Sequence, residues 1–320
     1  MKAAVLYEGG GPEVLKYEDV PDPVCRPKGV IIKVEAISIE GGDTLARLRG
    51  MAPKKPHVVG YQAGGTIIEI GSEVTNLKVG QKVATTDQAG SHAELRAVAA
   101  RSCWIVPDGL DVKKACVVPV PFGTADDCLF EFGHLKAGET VLVTAAGSGV
   151  GVAAIQLAKR AGAKVIGAAS SDDRLEKLKP LGMDIGINYS TKNLVEEVRR
   201  ITDNKGVNLV VDGVGGPTLQ NSIMSLAHRG RCCFIGQAGR EANKIDVSFL
   251  MMGDRSLTGV YQGAELGTDR GHDNVQRLIN DVGKGELKVI IDREFPLKEA
   301  AAAHAYIESR AAVGRVLLIP

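Results

Sequence analysis

One stretch constrains the fold of this chain more than any other. Residues 140–158 carry no charge, which approaches the roughly 20 apolar residues that cross a bilayer. The middle of the run argues against a span, because Gly147, Ser148, Gly149 and Gly151 interrupt it. Glycine is costly inside a helix and useful in a tight turn. Val141-Leu142-Val143 before the break reads as a buried strand, and the Ala- and Leu-rich residues 150–160 after it read as a helix. A strand, a small turn and a packed helix account for the run, so no membrane partner is expected.

The same texture continues on both sides. After Pro121, residues 140–145, 164–169, 184–188, 207–212 and 231–235 read as strands. Residues 150–161, 172–181, 194–201 and 217–227 read as helices. Such alternation predicts a parallel sheet with helices on both faces, whose strands are apolar throughout, as in Leu209-Val210-Val211. The first hundred residues differ. Short strands at 30–34, 65–70 and 81–84 are bounded by Gly and Pro, and Pro12, Pro21, Pro23, Pro27, Pro53 and Pro56 discourage long helices. The end of the chain has a helical pattern at 297–309 and a closing strand at 314–319. That tail is short for a domain of its own and is expected to complete the first one.

Composition narrows the partners. Lys and Arg number 39 against 38 Asp and Glu, which leaves no field to attract a polyanion. Aromatic residues are 4% of the chain, too few for base-stacking platforms. A nucleic-acid partner is therefore not expected. The six cysteines form no C-x-x-C pair and read as reduced thiols. Cys232 and Cys233 are expected to be buried on opposite faces of one strand. The opening Met1-Lys2-Ala3-Ala4-Val5-Leu6-Tyr7-Glu8 reaches a charge too early for a signal peptide, so the chain reads as cytoplasmic. His92, His134, His228, His272 and His304 show no paired spacing and are expected at the surface or in loops, as is His57; Lys54-Lys55 reads as a solvated loop.

The turn Ala145-Ala146-Gly147-Ser148-Gly149-Val150-Gly151 sits at the first strand–helix junction of the alternation. Free N–H groups and the dipole of a helix N-terminus favour a pyrophosphate there. The G-x-G-x-x-G register falls on Ala146, Ser148 and Gly151, so two of its three glycines are replaced. A small-residue packing contact would look the same, but the location favours a dinucleotide site. An NAD site asks for an acid at the end of the next strand. This chain has Ala168-Ala169-Ser170-Ser171 there. Ser170, Ser171 and Arg174 suit a 2′-phosphate through hydroxyl and guanidinium donors. Asp172 and Asp173 fit the first turn of a helix capped by Ser171. The expected cofactor is NADPH.

With these residues placed, the chain resembles the medium-chain dehydrogenase/reductase superfamily, most nearly its zinc-free, zeta-crystallin-like quinone oxidoreductase branch. The resemblance runs through Met1-Lys2-Ala3-Ala4-Val5, Val59-Gly60-Tyr61-Gln62-Ala63-Gly64-Gly65 and Pro121-Phe122-Gly123-Thr124-Ala125. It continues through the glycine turn, Val211-Asp212-Gly213-Val214-Gly215-Gly216 and the tail from Glu308 to Leu317. It implies an α/β fold: a Rossmann doubly wound parallel sheet (residues 121–256) inserted into a β-rich GroES-like domain (residues 1–120 and 257–320). It further implies Thr124 near the nicotinamide, Ser148, Gly149 and Val150 at the pyrophosphate, and Ser171 and Arg174 at the 2′-phosphate. Tyr189 would flank the adenosine end, Val214, Ile235 and Gln237 the nicotinamide side, and Arg310 would reach the cofactor from the tail. The strand within residues 249–261 would edge the sheet, as in the dimers common among relatives, so a homodimer is expected.

The departures shape the chemistry. Zinc-dependent members carry Cys near position 39 and then Gly-His-Glu. Here the segments are Ile39-Glu40-Gly41-Gly42-Asp43 and Gly60-Tyr61-Gln62, and only Cys103 stands where a four-cysteine lobe would be. No metal is expected, since a zinc site needs three or more protein ligands. Quinone reductases carry Asn in an Asn-Pro-x-Asp setting, which is Glu40 here. The proton-donating Tyr of enoyl-thioester reductases has no counterpart, because Met51 follows Gly50. Glu40 and Tyr61 are the candidate catalytic residues. Glu40 reads either as an acid with a raised pKa or as an ion-pair partner of Arg47 or Arg49. Tyr61 reads either as a donor to substrate oxygen or as a packed aromatic bonded to backbone. The expected activity is zinc-independent, NADPH-dependent hydride transfer to a quinone or an α,β-unsaturated carbonyl. The alternative is an NADPH-binding redox sensor or structural protein with little turnover.

Overall fold

The computed structural model describes residues 1–50 and 55–320. Met51, Pro53 and Lys54, used in the sequence reading, lie outside the described residues. The chain divides into two compact units, one of Met1–Val120 with Leu266–Pro320 and one of Pro121–Glu265. The second junction falls after Glu265 rather than after residue 256.

In chain order the strands are β1 (Lys2–Leu6), β2 (Lys16–Asp19), β3 (Gly29–Ser38), β4 (His57–Val58), β5 (Gln62–Ile70), β6 (Lys82–Thr86), β7 (Leu95–Ala99) and β8 (Cys103–Ile105). They continue with β9 (Thr140–Val143), β10 (Lys164–Ala169), β11 (Ile185–Asn188), β12 (Val207–Asp212), β13 (Leu226–Phe234), β14 (Ser256–Gly259), β15 (Ile291–Pro296) and β16 (Arg315–Ile319). The helices that matter below are α1 (Gly41–Arg49), α2 (Gly149–Arg160), α3 (Asp172–Leu178), α4 (Leu194–Ile201), α5 (Pro217–Met224), α6 (Asp269–Gly283) and α7 (Ala300–Glu308).

The unit Pro121–Glu265 holds a six-stranded parallel sheet in the order β11-β10-β9-β12-β13-β14. That is a doubly wound order with its reversal between β9 and β12. Val141, Leu142, Val143, Leu209, Val210 and Val211 are all buried, as strands covered on two faces require. Leu194 and Val198 of α4 and Leu219 and Ile223 of α5 pack with Leu142 and Val210 of the sheet. The uncharged run resolves into β9, a turn and α2, and among the described residues no helix is long and apolar enough to cross a membrane. Cys232 and Cys233 are both buried in β13. The fifth helix stops at Met224 rather than residue 227, because fully buried Leu226 already pairs with Val207 as strand. The outermost strand is shorter than the segment 249–261, since Ser248–Met251 forms a helical turn before it.

The other unit contains a seven-stranded sheet in the order β15-β16-β3-β5-β6-β8, with β7 also on β3, and a small sheet β2-β1-β4. β16 lies antiparallel to β3, pairing Leu317 with Ser38 and Leu318 with Ile37. The tail therefore completes the sheet that the first hundred residues begin. Ile32, Ile37, Ile67, Val83 and Leu318 are fully buried in its core. α1 ends where Gly50 takes φ +59°, a left-handed cap that favours glycine. Its amide bonds the Ala46 carbonyl.

The histidine expectation fails at His304, which lies buried within α7, while His92 is in a loop as expected. His92 and His304 are fully buried, with Nε2 atoms 3.0 Å apart and Ser91 Oγ 3.1 Å from His92 Nδ1. A neutral imidazole offers one donor and one acceptor, so one Nε2 donates to the other, while His304 Nδ1 stays buried without a partner. That pairing joins α7 to the loop before β7, across 212 residues that no local spacing reveals.

Candidate active site

The segment Ser38 to Asp43 leaves β3 and enters α1 with Glu40 at the N-cap. Glu40 and Asp43 are 4% and 1% exposed. Buried carboxylates need partners, and Glu40 has three on a single oxygen. Its Oε1 lies 2.5 Å from Arg315 Nη2, 3.0 Å from Gln62 Nε2 and 3.1 Å from Ser38 Oγ. Arg315 also donates to Ser38 Oγ at 3.2 Å and to the Ile39 carbonyl. Gln62 is oriented from its other end, where Oε1 accepts from the Val120 amide at 2.7 Å. The ion pair expected with Arg47 or Arg49 is thus made with Arg315, while Arg47 pairs with Glu308 of α7. β16 brings Arg315 beside β3, which sequence spacing could not show. Burial raises the Glu40 pKa above the usual carboxylate value, and Arg315 and Ser38 offset that only in part.

Asp43 is built differently. Its Oδ2 accepts the Glu40 amide at 2.8 Å, one half of a helix N-terminal box. Its Oδ1 is buried with no hydrogen-bond partner. Burial, helped by the Glu40 charge, raises its pKa to about 8 against the pull of that amide, Arg315 and Arg96. Asp43 is therefore protonated at neutral pH, although sequence reading singled out Glu40.

Tyr61 lies across Gly42. A Cβ at Gly42 would stand 2.7 Å from the Tyr61 hydroxyl, so only a residue without a side chain fits under the ring. Tyr61 as a residue is partly exposed, but its hydroxyl is buried, with its oxygen backed by the Gly42 amide. Burial and the nearby Glu40 and Asp43 charges raise its pKa well above the usual value. It stays a neutral hydroxyl, able to donate. Below it, Arg96 is buried and donates to the Tyr61 and Ala89 carbonyls at 3.0 and 3.2 Å and to Thr85 Oγ1 at 3.0 Å. The backbone at Tyr61 is thereby fixed. Among the described residues no group of three His, Cys, Asp or Glu side chains could hold a metal ion.

The parallel-sheet unit presents a second arrangement at the C-terminal ends of its strands. Ser148 caps α2, its hydroxyl accepting from the Gly151 amide at 3.0 Å. The preceding amides, of Gly149 and Val150, stand ahead of the first intrahelical bond and make no hydrogen bond. Ala145 bends the turn with φ +47°. Gly151 serves packing, since a Cβ there would meet the Ala146 carbonyl at 2.5 Å. At the sheet reversal the Thr144 amide donates to the Val211 carbonyl at 3.1 Å, and the Gly213 amide to Thr144 Oγ1 at 3.3 Å. Buried Asp212 accepts from the Val214 and Gly215 amides, both at 2.9 Å. Val214 and Ile235 lie just past the ends of β12 and β13, and the Ile235 amide bonds the Asp212 carbonyl. Gln237 follows and donates to the Glu241 carbonyl at 2.7 Å.

At the end of β10, Arg174 donates to Ser170 Oγ at 2.9 Å and pairs with no carboxylate among the described residues. Ser171 occupies the N-cap position of α3, but its hydroxyl makes no capping bond, contrary to expectation. Its backbone is extended at φ −152° and ψ 155°, which leaves the hydroxyl available. Asp172 and Asp173 are exposed in the first turn of α3. Tyr189 is 46% exposed beyond β11. Ser170, Ser171 and Arg174 thus present hydroxyl and guanidinium groups just past β10, with the acids Asp172 and Asp173 one step further on. Thr124 is buried and donates to Gln262 Oε1 at 3.1 Å. Arg310 ends α7 at φ +58° and is exposed in the other unit.

Comparison with known proteins finds relatives over nearly the whole chain. A zinc-binding dehydrogenase model matches residues 149–280, and an alcohol dehydrogenase GroES-like domain model matches 26–109. A 2-haloacrylate reductase from a Burkholderia species is 33% identical over 99% of this chain and 98% of its own. A quinone oxidoreductase from Pseudomonas aeruginosa is 32% identical over 97% of each chain. The Escherichia coli quinone oxidoreductase, solved in complex with NADPH, superposes with a TM-score of 0.94 at 28% identity, covering 100% of both chains.

Proposed function

Because the chain belongs to the medium-chain dehydrogenase/reductase superfamily, in its quinone oxidoreductase branch, we propose that it is an NADPH-dependent reductase of quinones or α,β-unsaturated carbonyls. The observation that carries the cofactor choice is the set of residues at the end of β10. Ser170, Ser171 and Arg174 present donors where an NAD site would place an acid. The free amides of Gly149 and Val150 at the start of α2 suit the pyrophosphate. Val214, Ile235, Gln237 and Thr124 are assigned to the nicotinamide side, Tyr189 to the adenosine end, and Arg310 to the cofactor from the tail helix. When bound, the nicotinamide supplies the hydride.

The reaction proceeds without zinc. At the positions where zinc relatives place ligands stand Glu40, Tyr61 and Gln62, and two of these are bonded to each other. Reduction of a conjugated carbonyl leaves negative charge on oxygen, which calls for a donor. Tyr61 is that donor, with its oxygen backed by Gly42 and its proton free for the substrate. Glu40, paired with Arg315, walls the pocket and fixes the entry to α1. The protein acts as a cytoplasmic homodimer. The unpaired edge of β14 and the exposed Val247, Met251, Met252 and Tyr261 nearby support pairing of two copies there. The compartment suits six free cysteines.

The test follows NADPH oxidation at 340 nm with a panel of quinones and enones, in parallel with NADPH and NADH titrations. Turnover with NADPH preferred over NADH is expected. Tight NADPH binding with no oxidation by any panel member would instead favour a sensor or structural role.

A further inference from the structure

Two carboxylates three residues apart usually share one fate, and these two do not. Glu40 Oε1 receives a guanidinium, an amide and a hydroxyl. Asp43 receives one backbone amide on Oδ2 and nothing on Oδ1. A buried oxygen without a donor is costly as part of an anion. It is acceptable as the O–H of a neutral acid, provided an acceptor lies near. The neighbouring residue, Gly42, carries the Tyr61 phenol directly on its Cα face. We propose that Asp43 is a positioning residue that holds a proton behind the Tyr61 hydroxyl and restores it after each turnover.

The proposal rests on the reductase reading and extends it from the donor to the donor's supply. As hydride adds to the substrate, the Tyr61 O–H bond breaks and an O–H bond forms on the substrate oxygen. Because Oδ1 has no hydrogen-bond partner of its own, the Asp43 O–H bond then breaks onto one intervening water, which passes a proton to the Tyr61 oxygen and restores that O–H bond. Asp43 finally regains its proton from solvent. The charged groups facing Asp43 are Glu40 from its own helix start, Arg315 from β16 and Arg96 from β7. Glu40 opposes an Asp43 anion and the two arginines favour it. Burial outweighs both and leaves Asp43 titrating at about 8. Divergent environments for paired carboxyl groups are how acid and base roles are separated in one site.

The experiment has two arms. In the first, the infrared spectrum of the cofactor-free protein is recorded from pH 6 to 10. A protonated carboxyl stretch is expected at neutral pH that disappears around pH 8, and that is absent in Asp43→Asn. In the second, kcat and KM for an enone are measured against pH. Asn keeps the acceptor for the Glu40 amide, so α1 stays capped. Asp43→Asn is expected to lower kcat by about a hundredfold, in the range of a lost general acid, with KM unchanged and the alkaline limb near pH 8 removed. Tyr61→Phe, which leaves Asp43 intact, should remove the same limb, and the double variant should be no slower than either single one. An unchanged pH profile in Asp43→Asn, or no carboxyl band at neutral pH, overturns the proposal. The infrared arm needs neither cofactor nor substrate, so it separates this failure from failure of the reductase reading.

Discussion

The two functional regions of this molecule solve opposite electrostatic problems. Around Glu40, charges are buried and matched in advance by partners within the fold, Arg315 foremost. Around Arg174, a guanidinium is held only by a serine hydroxyl, and helix-start amides stand unbonded beside Ser148. The first region is matched within the fold, and the second, on the proposed reading, would be completed by the cofactor. Groups that belong to the fold therefore affect stability, and groups awaiting an anion affect binding.

That contrast breaks first, if it breaks at all, at Arg315. Arg315→Met strands a buried carboxylate and should cost about 3–5 kcal/mol in a denaturant titration. Adding Glu40→Gln should recover most of that loss. A cost near zero for the single variant would mean that the pair is not part of the folded framework. Next in size is Tyr61→Phe, expected to lower kcat by about a hundredfold with little change in thermal midpoint.

On the open side, Arg174→Ala should weaken NADPH binding by about tenfold or more, the value of a charge-assisted hydrogen bond. NADH binding should be unchanged by calorimetry, and stability should move by less than about 0.5 kcal/mol. Equal weakening of both cofactors would remove the assignment to the 2′-phosphate.

The smallest effects concern pH and sharpen the picture of the buried region. Burial and Arg47 lower the His304 pKa to about 3, and burial lowers that of His92. The unfolded chain then binds more protons below pH 6.5, so their contribution to stability falls as pH drops from 6.5 toward 3. The loss is about 0.7 kcal/mol for His304 between pH 7 and pH 6, and His304→Gln should flatten the slope. Asp43 works in the other direction. Its raised pKa makes the stability it contributes decline as pH rises from 3.8 through about 8. Unfolding measured at pH 6 and pH 9 should show Asp43→Asn gaining on the parent at the higher pH.

Much of this was legible in the residues alone, where the signal is local. The glycine break at residues 147–151 turns an uncharged run into strand, turn and helix. The helix at 194–201 and the strand at 207–212 follow from periodicity with their bounds intact. The absence of an acid after Ala169 is likewise a property of neighbouring positions. What the sequence could not carry were pairings across the chain. Glu40 was sent to Arg47 or Arg49 because those are near in sequence, while β16 delivers Arg315 across 275 positions. The contact between His92 and His304 was invisible because hydrophobic pattern says nothing about two imidazoles that meet across 212 residues. Asp43 carried no signal in the sequence, because only the fold removes water from Oδ1. Local order follows from backbone preference and side-chain period, which neighbours along the chain express. Partner and protonation state depend on which distant groups replace water, and only the folded chain decides that.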